Sequence, residues 1–212
     1  MALPSEKLIT INDRGARAAT TFGSLSAGGA NMVFIKKLTA SSSSTLSFVD
    51  GASGVVLDNT YKEYLFTFKN IHPSVDDREF EFNLSIDGGS NYNVTKTTTR
   101  FSAYHGEDAG LGVLEYTAGE DLAQSTAFQG FQDNYGGGAD ECGAGQFTLF
   151  NPSSTTFAKH FISRTTNYHS SSLAIDCYLA GYANTTSAVD AIRFQFTEGT
   201  IEAGDICLYG IL

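Results

Sequence analysis

The side chains able to do chemistry in this chain are four histidines, several pairs of neighbouring acids, and tyrosines close to glycine-rich turns. His72, His105, His160 and His169 do not recur at metal-ligand spacing, and H-E-x-x-H is absent. His160 and His169 could approach across a hairpin, although ordinary strand-edge residues suit them better. His105 beside Glu107 and Asp108 has the composition of an acid–base or metal site. A solvated loop accounts for it more simply. The acids Asp76-Asp77, Glu107-Asp108, Glu120-Asp121 and Asp140-Glu141 fall in expected loops. A glycosidase needs two carboxylates held apart on rigid strands, which adjacent loop acids do not supply. Loop carboxylates and carbonyls can hold calcium. Asp87 with Asn91, and the loop of Asp140 and Glu141, are the candidates for that.

Tyr92, Tyr104, Tyr135 and Tyr168 lie near expected turns. With Asn91 they form a candidate binding set, since aromatic rings stack on sugars while amides bond hydroxyls. The alternative is a half-buried tyrosine with a wet hydroxyl. No phosphate-cradling G-x-x-x-x-G-K-[ST] occurs, and no G-x-S-x-G elbow. Cys142, Cys177 and Cys207 are far apart and odd in number, which argues against a disulfide framework. Cys177 and Cys207 suit small buried hydrophobes within strands. Cys142 falls in a glycine-rich loop, where an exposed thiol is the expectation. No catalytic residue and no cofactor is expected.

The elements that must position these residues are strands. In Phe80-Glu81-Phe82-Asn83-Leu84-Ser85-Ile86 the apolar residues alternate strictly. Phe80, Phe82, Leu84 and Ile86 therefore share one face, with Glu81, Asn83 and Ser85 turned to water. Asp87-Gly88-Gly89-Ser90-Asn91 then predicts a hairpin into Tyr92–Arg100. Met32–Ile35 is expected to open the first strand, closed by Lys36-Lys37, with Ser41–Ser44 a polar linker. Further strands are expected at 45–49, 64–68, 113–116, 128–131, 147–150, 157–168, 173–182, 192–196 and 206–212. No amphipathic helix is evident. The pattern predicts an all-β fold of about ten strands, an antiparallel β-sandwich of jelly-roll type. Residues 1–31 are rich in small residues and read as an extended N-terminal arm for docking or oligomerisation. Residues 32–212 read as the sandwich domain.

Composition supports this. There are 16 Phe, 10 Tyr and 22 Gly against 3 Pro, which suits pleated strands joined by glycine turns. The net charge is −10. Nucleic acids bind through clustered Lys and Arg, so no nucleic-acid partner is expected. Neither a secretory leader nor an apolar run of about 20 residues is apparent, and neither export nor membrane insertion is expected.

Val33–Ser41, Phe66–Pro73, Ser85–Thr97, Asp121–Ser125, Leu149–Thr155, Lys159–Arg164 and Gly204–Ile211 together resemble segments of a family of virion structural proteins of tailed marine bacteriophages. The resemblance spans nearly everything after residue 31. No catalytic residues are established for that family, so it transfers none. It implies a non-enzymatic module on the virion surface, made in the bacterial host cytoplasm. A tail-fibre or spike unit is the first expectation: a homotrimer attached to other virion proteins by its arm, its loops facing host-surface glycans. A capsid decoration or head-fibre protein is the second. A polysaccharide-degrading enzyme is the third and least favoured.

Overall fold

The computed structural model describes residues 31–212, so the expected arm lies outside the described residues except for Asn31. The strands are β1 (Met32–Ser43), β2 (Leu46–Val49), β3 (Glu63–Pro73) and β4 (Arg78–Ser85). They continue with β5 (Lys96–Gly106), β6 (Gly112–Tyr116), β7 (Gln129–Tyr135) and β8 (Gly143–Phe150). The last four are β9 (Lys159–His169), β10 (Leu173–Ala183), β11 (Ala191–Phe196) and β12 (Ile201–Ile211). One 3-10 turn at Ala118–Glu120 interrupts them. The fold is all-β and antiparallel, with twelve strands against the stated count of about ten.

Eight strands pair in the order β6-β5-β10-β9-β8-β3-β12-β1, and four in the order β7-β4-β11-β2. One pairing, Tyr135 with His169, joins the two sets into a nearly closed barrel flattened like a sandwich. The chain alternates between the sets. β2, β4, β7 and β11 enter the small sheet, and the strands between them enter the large one. This interleaving is the jelly-roll habit of wrapping a sandwich in Greek keys.

Phenylalanines at period two fill the space between the sheets. Phe66 and Phe68 of β3, Phe147 of β8 and Phe161 of β9 meet Phe80, Phe82, Phe131, Phe194 and Phe48 of the small sheet. Ring centroids lie 4.8 Å apart for Phe82–Phe147, 5.1 Å for Phe68–Phe131 and 5.5 Å for Phe66–Phe194. Edge-on and offset contacts at such distances suit the ring quadrupoles. Each buried ring contributes roughly 1.5–3 kcal/mol by leaving water.

Four local expectations need correction. β1 runs on through Lys36-Lys37 to Ser43, because β12 pairs along its length and holds the serines extended. Phe80–Ser85 and Lys96–Arg100 do not form a hairpin: β4 pairs with β7 and β11, whereas β5 pairs with β10 and β6. Ile86 lies beyond the end of β4 and is exposed, while Phe80, Phe82 and Leu84 are buried as expected. The other face of β4 is open to water only in part, at Glu79 and Glu81. Asn83 and Ser85 are fully buried, because Lys96 and the segment carrying Thr126 cover that face.

Candidate functional site

β5 explains the covered face. From Lys96 to Ser102 its buried positions are Lys96, Thr98, Arg100 and Ser102, one every second residue, all polar. The Lys96 ammonium donates to Asn83 Oδ1 at 2.6 Å and to the Val94 carbonyl at 2.9 Å. The Thr98 hydroxyl donates to Gln129 at 2.5 Å and accepts from the Leu122 amide at 2.7 Å. Arg100 donates to Glu79 and Asp133 at 3.1 Å each, with Glu120 at 3.9 Å. Gly130 makes this possible, since a β-carbon there would overlap the Glu79 carboxylate.

Burial pushes Glu79 up to about 7, opposed by Arg100 and assisted by Glu120 and Asp133. Burial also brings Lys96 down to about 7, opposed by Glu81. Arg100 Nε, Ser102 Oγ and both amide atoms of Gln132 are buried without a protein partner. The cluster has charged groups of both signs on rigid strands, yet none of the surface hollows described here is lined by Glu79, Asp133 or Arg100. Its carboxylates are held by a guanidinium, which is what a structural ion network requires.

An accessible site lies on the outer face of the large sheet. Strand register sets Tyr116, Phe101, Tyr178, Arg164 and Gln146 directly opposite one another, in one row across β6, β5, β10, β9 and β8. The next row on the same face is Thr99, Ala180, Ile162 and Thr148. Beyond it come Thr97, Tyr182 and His160. Ala180 is thus a low point between Tyr178 and Tyr182 on β10. The result is a groove of about 400 Å³ across four strands.

Phe101 and Tyr178 stand parallel at 4.9 Å along one wall. The Arg164 guanidinium covers the Tyr178 ring at 5.1 Å. Asp176 fixes that guanidinium through two bonds of 3.0 and 2.8 Å. The wall is therefore aromatic and electrically balanced. Phe101 is 43% and Ile162 52% exposed, although both stand on regular strands. Hydroxyls of Thr99 and Thr148 and the Gln146 side-chain amide complete a lining that holds no carboxylate. Such a surface contacts apolar faces and bonds hydroxyl edges.

The residues singled out from sequence are dispersed. Tyr92 is nearly buried, its ring under the Arg193 guanidinium at 4.0 Å, so it is no open platform. Tyr135 is in the core against Phe80 and Phe196, and Gly143 leaves room for its ring. Both corrections have one cause: an aromatic ring near a turn is drawn against whatever packing surface adjoins it, the Arg193 guanidinium for Tyr92 and the phenylalanine core for Tyr135. Tyr104 is half-buried, its hydroxyl 3.4 Å from Glu115. Tyr168 lines a second hollow with His105, Glu107 and half-buried Cys142. Cys177 and Cys207 are buried in β10 and β12. His160 and His169 sit at opposite ends of β9 and do not meet.

Asn91 gives its amide and side-chain N–H groups to Asp87 at 2.9 and 2.6 Å, and Ser85 adds its hydroxyl at 2.7 Å. These bonds hold the Asp87 carboxyl down at about 2. Glu141 accepts from the Gly138 amide at 2.5 Å. Both carboxylates serve their own turns, and no metal-binding cluster of three or more His, Cys, Asp or Glu forms among the described residues. Asp87, Asp140 and Glu141 are not assembled into a calcium site. Sequence reasoning missed the groove. The signal was present in Asp176, Tyr178, Ala180 and Tyr182, which alternate on one face of a strand that was already expected.

Comparison with known proteins finds no matching family model, no similar curated protein and no similar solved structure.

Proposed function

We propose that the protein is a non-enzymatic structural module on the surface of a tailed-bacteriophage particle, and that it contacts host-surface glycans through the groove over Ala180. The observation that carries this reading is the open aromatic row on a rigid sheet. The inner face of the large sheet is filled by the small sheet, while its outer face keeps Phe101, Tyr178 and Ile162 in contact with solvent. Exposed aromatic side chains grouped in this way mark a recognition surface. A sugar ring presents apolar C–H faces and a hydroxyl edge, and the groove offers rings, methyl groups, hydroxyls and an amide. Its neutral wall suits uncharged sugars, and the net charge of −10 repels acidic ones at long range.

The location on the particle rests on the resemblance of Phe66–Pro73, Ser85–Thr97 and Gly204–Ile211 to virion structural proteins. A tail appendage fits a glycan-contacting groove better than a shell clamp, which would need a face shaped to capsomers. Immunogold labelling of intact particles with antibody raised against residues 31–212 tests the placement. Gold at the tail is the expected outcome. Label on the head alone favours a decoration role, and unlabelled particles that also lack the protein by mass spectrometry would reject both.

A further inference from the structure

Apart from β7, which meets β9 only at Tyr135 and is mostly buried, strand pairing ends at three edges among the described residues: β1, β2 and β6. Open edges invite pairing with other chains, and proteins guard them with lysines, prolines, bulges or brevity. β1 carries Lys36 and Lys37 and is bulged between Phe34 and Lys36. β2 has four residues. β6 is different. All five of its residues are exposed and its register with β5 is unbroken. It has neither lysine nor proline, and its single charge is Glu115. Leu114 is 74% exposed.

The direction of its free groups can be worked out. The Gly106 amide donates to the Leu111 carbonyl, and the Thr117 amide donates to the Arg100 carbonyl. Both are hydrogen-bonded positions of the β5–β6 ladder, and such positions alternate. Val113 and Glu115 therefore turn their backbone groups toward β5. Gly112, Leu114 and Tyr116 turn theirs outward, where no partner exists among the described residues.

We infer that β6 pairs antiparallel with β6 of a second copy of this chain about a two-fold axis at Leu114. That register sets Leu114 opposite its counterpart and Gly112 opposite Tyr116. Every outward N–H and C=O then finds a partner, giving six hydrogen bonds. Gly112 presents no side chain to obstruct the approach, while the Tyr116 hydroxyl stays bonded to Asp121 of its own chain. Glu115 falls opposite Val113, and the two glutamates stay on a diagonal of roughly 7–8 Å. A two-fold contact of this kind uses the same patch on both subunits. The strand thus matches itself in backbone direction and side-chain size, with the single Glu115 kept off its own counterpart, which is why a second copy, rather than an unrelated strand, is the occupant. The large sheets of both copies become one continuous sheet, which sets their two grooves in a fixed mutual geometry. This pairing is independent of what the grooves bind. A five-residue contact covers less than the roughly 1,200 Å² of a standard interface, so the dimer is weak and concentration-dependent.

Sedimentation velocity of the full chain over a rising concentration series tests this. The expected result is a monomer–dimer equilibrium. Leu114→Pro deletes one outward donor and leaves the β5–β6 bonds intact, since proline is tolerated where an edge N–H faces solvent. This variant should be monomeric throughout with an unchanged melting temperature. Should it not fold, Leu114→Lys supplies the guarding charge and should have the same effect. In a Cys142→Ser background, Leu114→Cys should crosslink to a dimer on mild oxidation. Opposed hydrogen-bonded residues stand about 5.5 Å apart at Cα, within disulfide reach. A wild-type chain that stays monomeric overturns the inference. So does a dimer or trimer indifferent to the proline and lysine changes, or a cysteine variant that fails to crosslink.

Discussion

Two buried regions of this molecule follow the same alternation and opposite chemistry. Between the sheets, every second residue of β3, β4 and β11 is a phenylalanine or another apolar side chain. Under β5, every second residue is Lys96, Thr98, Arg100 or Ser102. The first region is stabilised by area removed from water, which is non-directional and independent of pH. The second is stabilised only while each donor keeps its acceptor, because an unpaired buried charge is expensive. The lesson is that period-two patterning decides which face is buried, and the neighbours on that face decide whether burial helps.

The largest effect that would test this contrast is loss of an aromatic centre. Phe82→Ala should cost about 3–5 kcal/mol by leaving a cavity among Phe131, Phe147 and Phe161. Chemical denaturation should give the same cost at every pH in the folded range. Arg100→Met should cost about 3–5 kcal/mol near neutral pH, because Glu79 and Asp133 lose their shared cation. Its cost should shrink in acid, as Glu79 takes up its proton readily. A pH-independent cost for Arg100→Met would erase the distinction between the two regions.

The wild-type protein gives an intermediate effect. Glu79 titrates at about 7 in the fold, above its ordinary 4.5. The stability it contributes is fully present below 4.5 and is lost as pH rises toward 7. Lys96 is lowered from 10.5 to about 7. Its contribution is fully present above 10.5 and is lost as pH falls toward 7. The two slopes oppose, so the melting temperature should pass through a shallow minimum near neutrality, lower than at about pH 5 or about pH 9. Lys96→Met should remove the alkaline limb and leave the acid one. The smallest effect is that of Thr98→Val, about 1 kcal/mol, from the bonds lost to Gln129 and the Leu122 amide. Equilibrium unfolding in urea resolves it.

The aromatic region was legible in the sequence, because Phe80, Phe82 and Leu84 state their own face. The polar region was not. Lys96 and Arg100 have the residue types of a solvated strand, and only the wrapping of β5 over β4 buries them. The supposed hairpin failed for the same reason: a glycine turn specifies a reversal, not the sheet that the returning strand joins. The candidate site was legible in type and not in place. Tyrosines near turns drew attention to Tyr92 and Tyr135, which packing consumed. Phe101 and Ile162, from different strands, form one surface only through the pairing of β5, β10 and β9, a non-local register that composition and spacing do not reveal.

The proposed glycan contact at the groove over Ala180 is tested most directly by a glycan microarray spanning neutral and acidic sugars. It would be probed with the wild-type chain, Tyr178→Ala and Ile162→Asp, with melting temperatures measured alongside. Both side chains are outer-face residues, so each variant should melt within a few degrees of the parent. The wild type should bind neutral oligosaccharides, and both variants should lose at least about tenfold in affinity, an effect of roughly 1.4 kcal/mol. Binding that is unchanged in both folded variants, or no neutral sugar bound by the wild type, would contradict the assignment of the groove.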